Sequence, residues 1–368
     1  MRITDVSLFR YDVSRRYATR IAREGGGARE VVEASPFLFI RAESDSGLCG
    51  WGEISDIEHD EVPELESFGE RISAALVGRD PCVIEQLHVE WAEQFPDDTG
   101  GSLGRLTRAG LDMLCYDLVS QAANVPVCRL LGGQWRDRVH VSWVAFIRDD
   151  LDLLREEIAE KCAEGFTAFK LKVGVDIELD EQRLEVMRRA AGPGASIKID
   201  PNGGWNRDEA VRHIGRLARF DLAGVETPVA GRDAAEIASV RREVDVPLIE
   251  HVVTPADALE YLKHDSLDCF NIATTGCGGI FPARQIASMA ETGGVDILLG
   301  STVELGPGTL AQLQLAASIR GLTLPSDLVG PGLYADDVLD KPLTYEAGQL
   351  VVPDEPGFGS RIDQSGLA

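Results

Sequence analysis

The chain has 368 residues, 44% of them hydrophobic, and carries 61 acidic against 36 basic residues for a net charge of −25. That size accommodates a barrel-sized domain beside a smaller one, while the charge excludes a general nucleic-acid or anionic-lipid surface. No run of 18 apolar residues reads as a membrane span, and the seven cysteines are scattered without a C-x-x-C pair, which excludes a disulfide framework and a structural zinc site. The acidity fits salt adaptation or plain solubility.

In chain order, "ITDVSLFRYDV", "SPFLFIRAES" and "GLCGWGEI" alternate as strands, and "ELESFGERISAALVG" and "LGRLTRAGLDMLCYDLVSQAA" carry helical periodicity. The N-terminus lacks the regions of a signal peptide, so a cytoplasmic protein is expected. "AREGGGARE" and "SDIEHDE" read as loops, either ordinary surface loops or mobile ones. An α+β domain over 1–128 is expected.

After "LLGGQW", short apolar runs recur with amphipathic stretches between: "VSWVAFI", "AFKLKVG", "SIKIDPN", "AGVETPV", "VPLIEHV", "DCFNIAT", "VDILLGS" and "LTLPSD". Lys172, Asp200, Glu226, Glu250, Ala273 and Ser301 follow one another at intervals of 23 to 28 residues, the spacing of successive βα units in a parallel barrel. The barrel is expected over 129–344, with the tail 345–368 packing back on the first domain.

Asp200, Glu226 and Glu250 each end a predicted strand, and clustered carboxylates call for a hard divalent cation, Mg²⁺ or Mn²⁺. The chain has six lysines, and Lys170 and Lys172 lie two apart on one strand, hence on one face. Two readings are open. Either mutual repulsion leaves one lysine neutral and able to act as a base, or the pair is salt-bridged to the adjacent acids. His251 adjoins Glu250 and by alternation is expected to point away from the interior.

Together, "KLK" at 170–172, "KIDPNGGW" at 198–205, "VETP" at 225–228, "LIEH" at 248–251, "GCGGI" at 276–280, "GSTVELGPG" at 300–308, "GWGE" at 50–53 and "LLGG" at 130–133 resemble the enolase superfamily, and within it the muconate lactonizing enzyme-like subgroup. The resemblance implies an α/β fold, a modified TIM barrel (β/α)7β under an N-terminal α+β capping domain. It implies Mg²⁺ on Asp200, Glu226 and Glu250, Lys172 handling a proton beside Lys170, and an enediolate formed from a small-molecule carboxylate. Asn202, Glu304, Asn271, Ser301 and Thr274 are supporting or substrate-contacting candidates, or purely structural. Arg23, Arg29, Asp56, Glu58 and His59 sit in the two loops where specificity is expected. A homo-oligomer is usual for the resemblance.

One departure stands out. Where the subgroup carries a further lysine at the end of the sixth barrel strand, "NIATTGCGGI" has Ala273, which cannot exchange a proton. One-faced chemistry is therefore expected: dehydration of a hydroxy acid or hydroxylated amino acid first, a muconate-type cycloisomerisation second, and a racemase with a non-lysine acid third. A catalytically silent binding paralogue is the reading from another class.

Overall fold

A computed structural model of the chain describes residues 1–55, 57–97, 102–357, 362–364 and 367. Strands β1 (Ile3–Thr19), β2 (Val32–Ser44) and β3 (Cys49–Ile54) form an antiparallel sheet in that order. Helices α1 (Leu65–Leu76), α2 (Ile84–Gln94) and α3 (Leu103–Ala123) cover it. Their shared core includes Leu38, Ile40, Ile54, Phe68, Ile72, Trp91, Leu111 and Leu114. Helix α2, "IEQLHVEWAEQ", was not expected from the sequence; only Leu87 and Trp91 of its side chains are buried, four apart on one face.

The motif "GWGE" lies flat on α3. A Cβ at Gly52 would stand 2.0 Å from the Gly110 carbonyl oxygen, so strand and helix backbones touch where Gly52 tolerates no side chain.

Helix α4 (Val127–Leu130) and the short strand β4 (Arg138–His140) lead into the second unit. There β5 (Trp143–Ala145), β6 (Ala168–Lys172), β7 (Ser196–Asp200), β8 (Leu222–Glu226), β9 (Leu248–His251), β10 (Cys269–Ile272) and β11 (Asp296–Leu299) neighbour one another in chain order, all parallel. They alternate with α5 (Leu151–Ala163), α6 (Ile177–Ala191), α7 (Arg207–Leu217), α8 (Ala234–Arg241), α9 (Pro255–His264), and the pair α10 (Thr274–Cys277) and α11 (Ile280–Gly293). Segment 322–327 fills the eighth position, bridging in parallel to Ile297 on one side and Val141 on the other. This is the expected modified barrel under its capping domain.

Alternation divides each strand. Phe169, Leu171, Ile197, Ile199, Val225, Leu248, Phe270, Ile272 and Leu299 join the large core outside the strands. Ile249, Cys269 and Leu298 form a separate small cluster inside.

Helices α12 (Gly306–Ser318) and α13 (Gly330–Leu333) follow, and β12 (Gln349–Val351) pairs with β4. Two buried carboxylates of the capping domain bind helix N-termini of the barrel. Asp112 of α3 accepts from Ile280 N at 2.6 Å and Phe281 N at 3.3 Å, and also lies 2.7 Å from His88 Nε2. Glu53 of β3 accepts from Leu305 N at 2.9 Å and Gly308 N at 2.7 Å. Each satisfies backbone donors that a helix start leaves free. Among the described residues no helix is long and apolar enough to cross a membrane.

Candidate active site

Register places Lys170 beside Lys198 and Lys172 beside Asp200 on the inner face of β6 and β7. Lys170 Nζ donates to Asp327 Oδ2 at 2.7 Å and to both oxygens of Glu226 at 3.1 and 3.2 Å, and lies 3.8 Å from Asp200 Oδ2. Lys198 Nζ donates to Asp327 Oδ1 at 2.9 Å and to the Pro325 carbonyl at 3.0 Å. Nearer the mouth, Lys172 Nζ donates to Asp200 Oδ2 at 2.5 Å. Three ammonium groups thus face three carboxylates inside the barrel, the pairing that buried charges require.

Burial pushes Lys170 down, but Asp327, Glu226 and Asp200 outweigh it and hold its pKa above the usual lysine value. The expectation that like-charge repulsion leaves one lysine neutral therefore does not apply to Lys170. Burial raises Asp200 against the pull of Lys172 and Lys170. For Glu226 burial acts in the same direction, but Lys170 and His251 hold its carboxyl well below the usual range.

At the end of β9 the structure corrects the sequence. His251 was expected to point away from the interior. Instead its Nε2 lies 3.0 Å from Glu226 Oε1. Glu250 engages the outer side: its Oε1 accepts from Thr227 Oγ1 at 2.9 Å and His251 N at 2.8 Å, and lies 3.5 Å from Arg232 Nε. Its Oε2 is buried without a partner, and burial pushes this carboxyl up to about 7 despite Arg232 and His251. Asp200 and Glu226 are thus brought together with both lysines, and Glu250 is not.

Asn202, at a positive φ of 49°, donates its backbone N–H to Asp200 Oδ1 at 2.8 Å. Asn271 is fully buried on the inner face of β10, next in register to His251, with neither amide atom partnered. Ala273, 3% exposed, directly follows that strand. Glu304 is buried and saturated by Thr275 Oγ1, Thr302 N and Ser301 Oγ, which reads as a loop anchor. Thr274 is buried, its N–H donating to Gln312 Oε1 at 3.3 Å.

The first capping loop reaches the barrel mouth. Gly25 N donates to Gly203 O at 2.9 Å, and Glu24 Oε1 accepts from Gly231 N at 2.6 Å. Arg23 is exposed beside these contacts. Arg29 joins the two loops through Glu58 at 3.2 Å, and His59 Nε2 lies 3.1 Å from Ala34 O. Asp56 lies outside the described residues.

Sequence reasoning missed Asp327 and Lys198. Lys198 had a signal, since "SIKID" puts it on the face of Asp200. Asp327 had a weaker one, since it ends the last apolar run, "LTLPSD", but only barrel closure brings that segment beside β6.

The donor set fits a divalent cation. Asp200 and Glu226 end adjacent strands, and Asn202 Oδ1 is a buried acceptor without a donor. Among the described residues no three His, Cys, Asp or Glu side chains converge as a preformed cage; Lys170, Lys172 and His251 share the carboxylate oxygens instead.

Comparison with known proteins supplies the context. Residues 153–366 match the family model described as enolase C-terminal domain-like, and residues 18–132 match the N-terminal domain model of mandelate racemase/muconate lactonizing enzyme. The chain is similar to the N-succinyl-L-Arg/Lys racemase of Bacillus cereus, 29% identical over 90% of this chain and 89% of that one. It is similar to the chloromuconate cycloisomerase of Cupriavidus pinatubonensis, 31% identical over 89% of each. The solved dipeptide epimerase of Enterococcus faecalis V583, complexed with Mg and the dipeptide L-Leu-L-Tyr, superposes with a TM-score of 0.85 at 26% identity, covering 98% of this chain and 99% of that one.

Proposed function

The chain belongs to the mandelate racemase/muconate lactonizing enzyme family of the enolase superfamily, and from that membership we propose a divalent-cation-dependent enzyme, a cycloisomerase or a dehydratase, that handles the α-proton of a carboxylate from one face. The observation that carries the reading is the pairing of Lys172 with Ala273. In the eight-position barrel β6 and β10 stand four strands apart, hence across the mouth from each other. One side presents a lysine and the other a methyl group.

Lys172 is the lysine nearest the mouth, its side chain 12% exposed against 5% for Lys170. It takes the α-proton, and the electron pair passes into the substrate carboxylate. As an ammonium it then returns the proton to an oxygen leaving from the β-carbon on the same face. Lys170, held cationic by Asp327 and Glu226, supplies fixed positive charge below. A bound Mg²⁺ or Mn²⁺, held by Asp200 and Glu226 with a third ligand from β9, would supply positive charge where the carboxylate oxygens gain electron density.

If the departing oxygen is a free hydroxyl, the reaction is a syn dehydration. In the opposite direction an oxygen tethered to the substrate adds to the β-carbon and the Lys172 ammonium delivers its proton to the α-carbon of the enediolate, which is a cycloisomerisation, the class named for the Cupriavidus relative; Ala273 favours the two readings equally. Racemisation through a base on each face is not supported by an alanine at that position. The proposal includes a capping unit of 1–128 with the tail 345–368, a barrel of 129–344, and a homo-oligomer.

A carboxylate library of muconates, acid sugars, hydroxyprolines and N-acyl amino acids, assayed with Mg²⁺, tests it. Turnover that eliminates or cyclises supports the proposal. Racemisation of an N-acyl amino acid, or no turnover with any class, contradicts it.

A further inference from the structure

We propose that His251, not Glu250, is the third protein ligand of the divalent cation, completing a donor set of two carboxylates and one imidazole. The inference rests on the cation-dependent reading of this site and specifies its coordination.

Strand geometry carries the argument. Ile249 is in register with Glu226 of β8 and with Cys269 of β10, and it clusters with Cys269 and Leu298 inside the barrel. His251, two residues on, shares that face and pairs with Asn271. Leu248 joins the outer core with Phe270 and Ile272, so Glu250 begins on the outer face with Leu248. A slip of one residue would exchange the two side chains, but the register with both neighbours excludes it.

Contacts agree. The His251 ring reaches inward to the inner-face carboxylate of Glu226, whereas Glu250 Oε1 ties the ends of β8 and β9 through Thr227 and the His251 N–H. Access agrees as well, since the His251 side chain is 26% exposed and that of Glu250 is fully buried. A second polar group points to the same place: Asn271, fully buried, has no partner for either amide atom. One imidazole nitrogen among the donors shifts preference from Mg²⁺ toward Mn²⁺.

The test is electron spin-echo spectroscopy of the Mn²⁺-loaded full chain, prepared with ordinary and with ¹⁵N-labelled histidine. A Mn–nitrogen coupling that changes to the ¹⁵N pattern with labelled histidine is expected, and neither lysine could produce it. His251→Gln should abolish the coupling and weaken Mn²⁺ binding at least about tenfold, with an unchanged circular dichroism spectrum. Glu250→Gln should retain the coupling, and His251→Asp should bind Mn²⁺ without it. Binding without histidine coupling, or loss of Mn²⁺ binding in Glu250→Gln alone, overturns this inference and leaves the cation-dependent reading standing. If the wild-type chain binds neither Mn²⁺ nor Mg²⁺, that reading falls, and this inference with it.

Discussion

Asp327 and Lys170 meet at 2.7 Å inside the barrel, although 157 residues separate them in the chain. The contact forms only because segment 322–327 closes the barrel against Val141 and Ile297. Asp327 also receives Lys198 at 2.9 Å, so two lysines share one carboxylate.

Asp327→Asn should therefore destabilise the fold by about 3–5 kcal/mol, because it leaves buried ammonium groups without their counter-charge. Urea unfolding measures it. A loss below about 1 kcal/mol would show that Glu226 and Asp200 suffice to hold Lys170.

Lys172→Ala should lower turnover by at least about a hundredfold, the usual contribution of a positioned acid or base, while the circular dichroism spectrum stays unchanged. Activity within a few-fold of wild type would remove Lys172 from the proton transfer.

Gly52→Ala should destabilise by about 1–3 kcal/mol or more, as overpacking does, since its Cβ would meet the Gly110 carbonyl oxygen at 2.0 Å. Thermal unfolding reads the loss. An unchanged midpoint would mean that β3 and α3 separate at little cost.

Glu53 gives a pH signature. Burial raises its carboxyl from 4.5 to about 8, against hydrogen bonds from Gly308, Ser55 and Leu305 and with the charge of Glu304 acting upward. A carboxyl raised on folding contributes stability that is full below its unfolded pKa and is lost as pH rises through the folded value. Wild-type stability should thus fall between about pH 4.5 and pH 8, more steeply than that of Glu53→Gln. Equal slopes in urea titrations across that window would contradict the assignment.

Much of this was legible in the sequence. The intervals between strand ends announced the barrel, and "KLK" and "SIKID" placed Lys170, Lys172 and Asp200 on one face through simple alternation. "LIEH" failed because both of its faces carry one apolar and one polar residue, so alternation alone does not say whether Glu250 or His251 faces inward. Only pairing with β8 and β10 decides it. Asp327 and the Glu53 contact with α12 were hidden for another reason: each depends on segments far apart in the chain, which local periodicity cannot report.

The central claim is proton handling from one face by Lys172, and solvent exchange tests it most directly. Once the screen identifies a substrate, the enzyme is incubated in D₂O with each α-epimer separately, and deuterium at the α-carbon is followed by NMR. The account predicts exchange from one epimer only, with configuration retained, and none in Lys172→Ala. Exchange in both epimers, or inversion at the α-carbon, would require a second base near Ala273 and would contradict it.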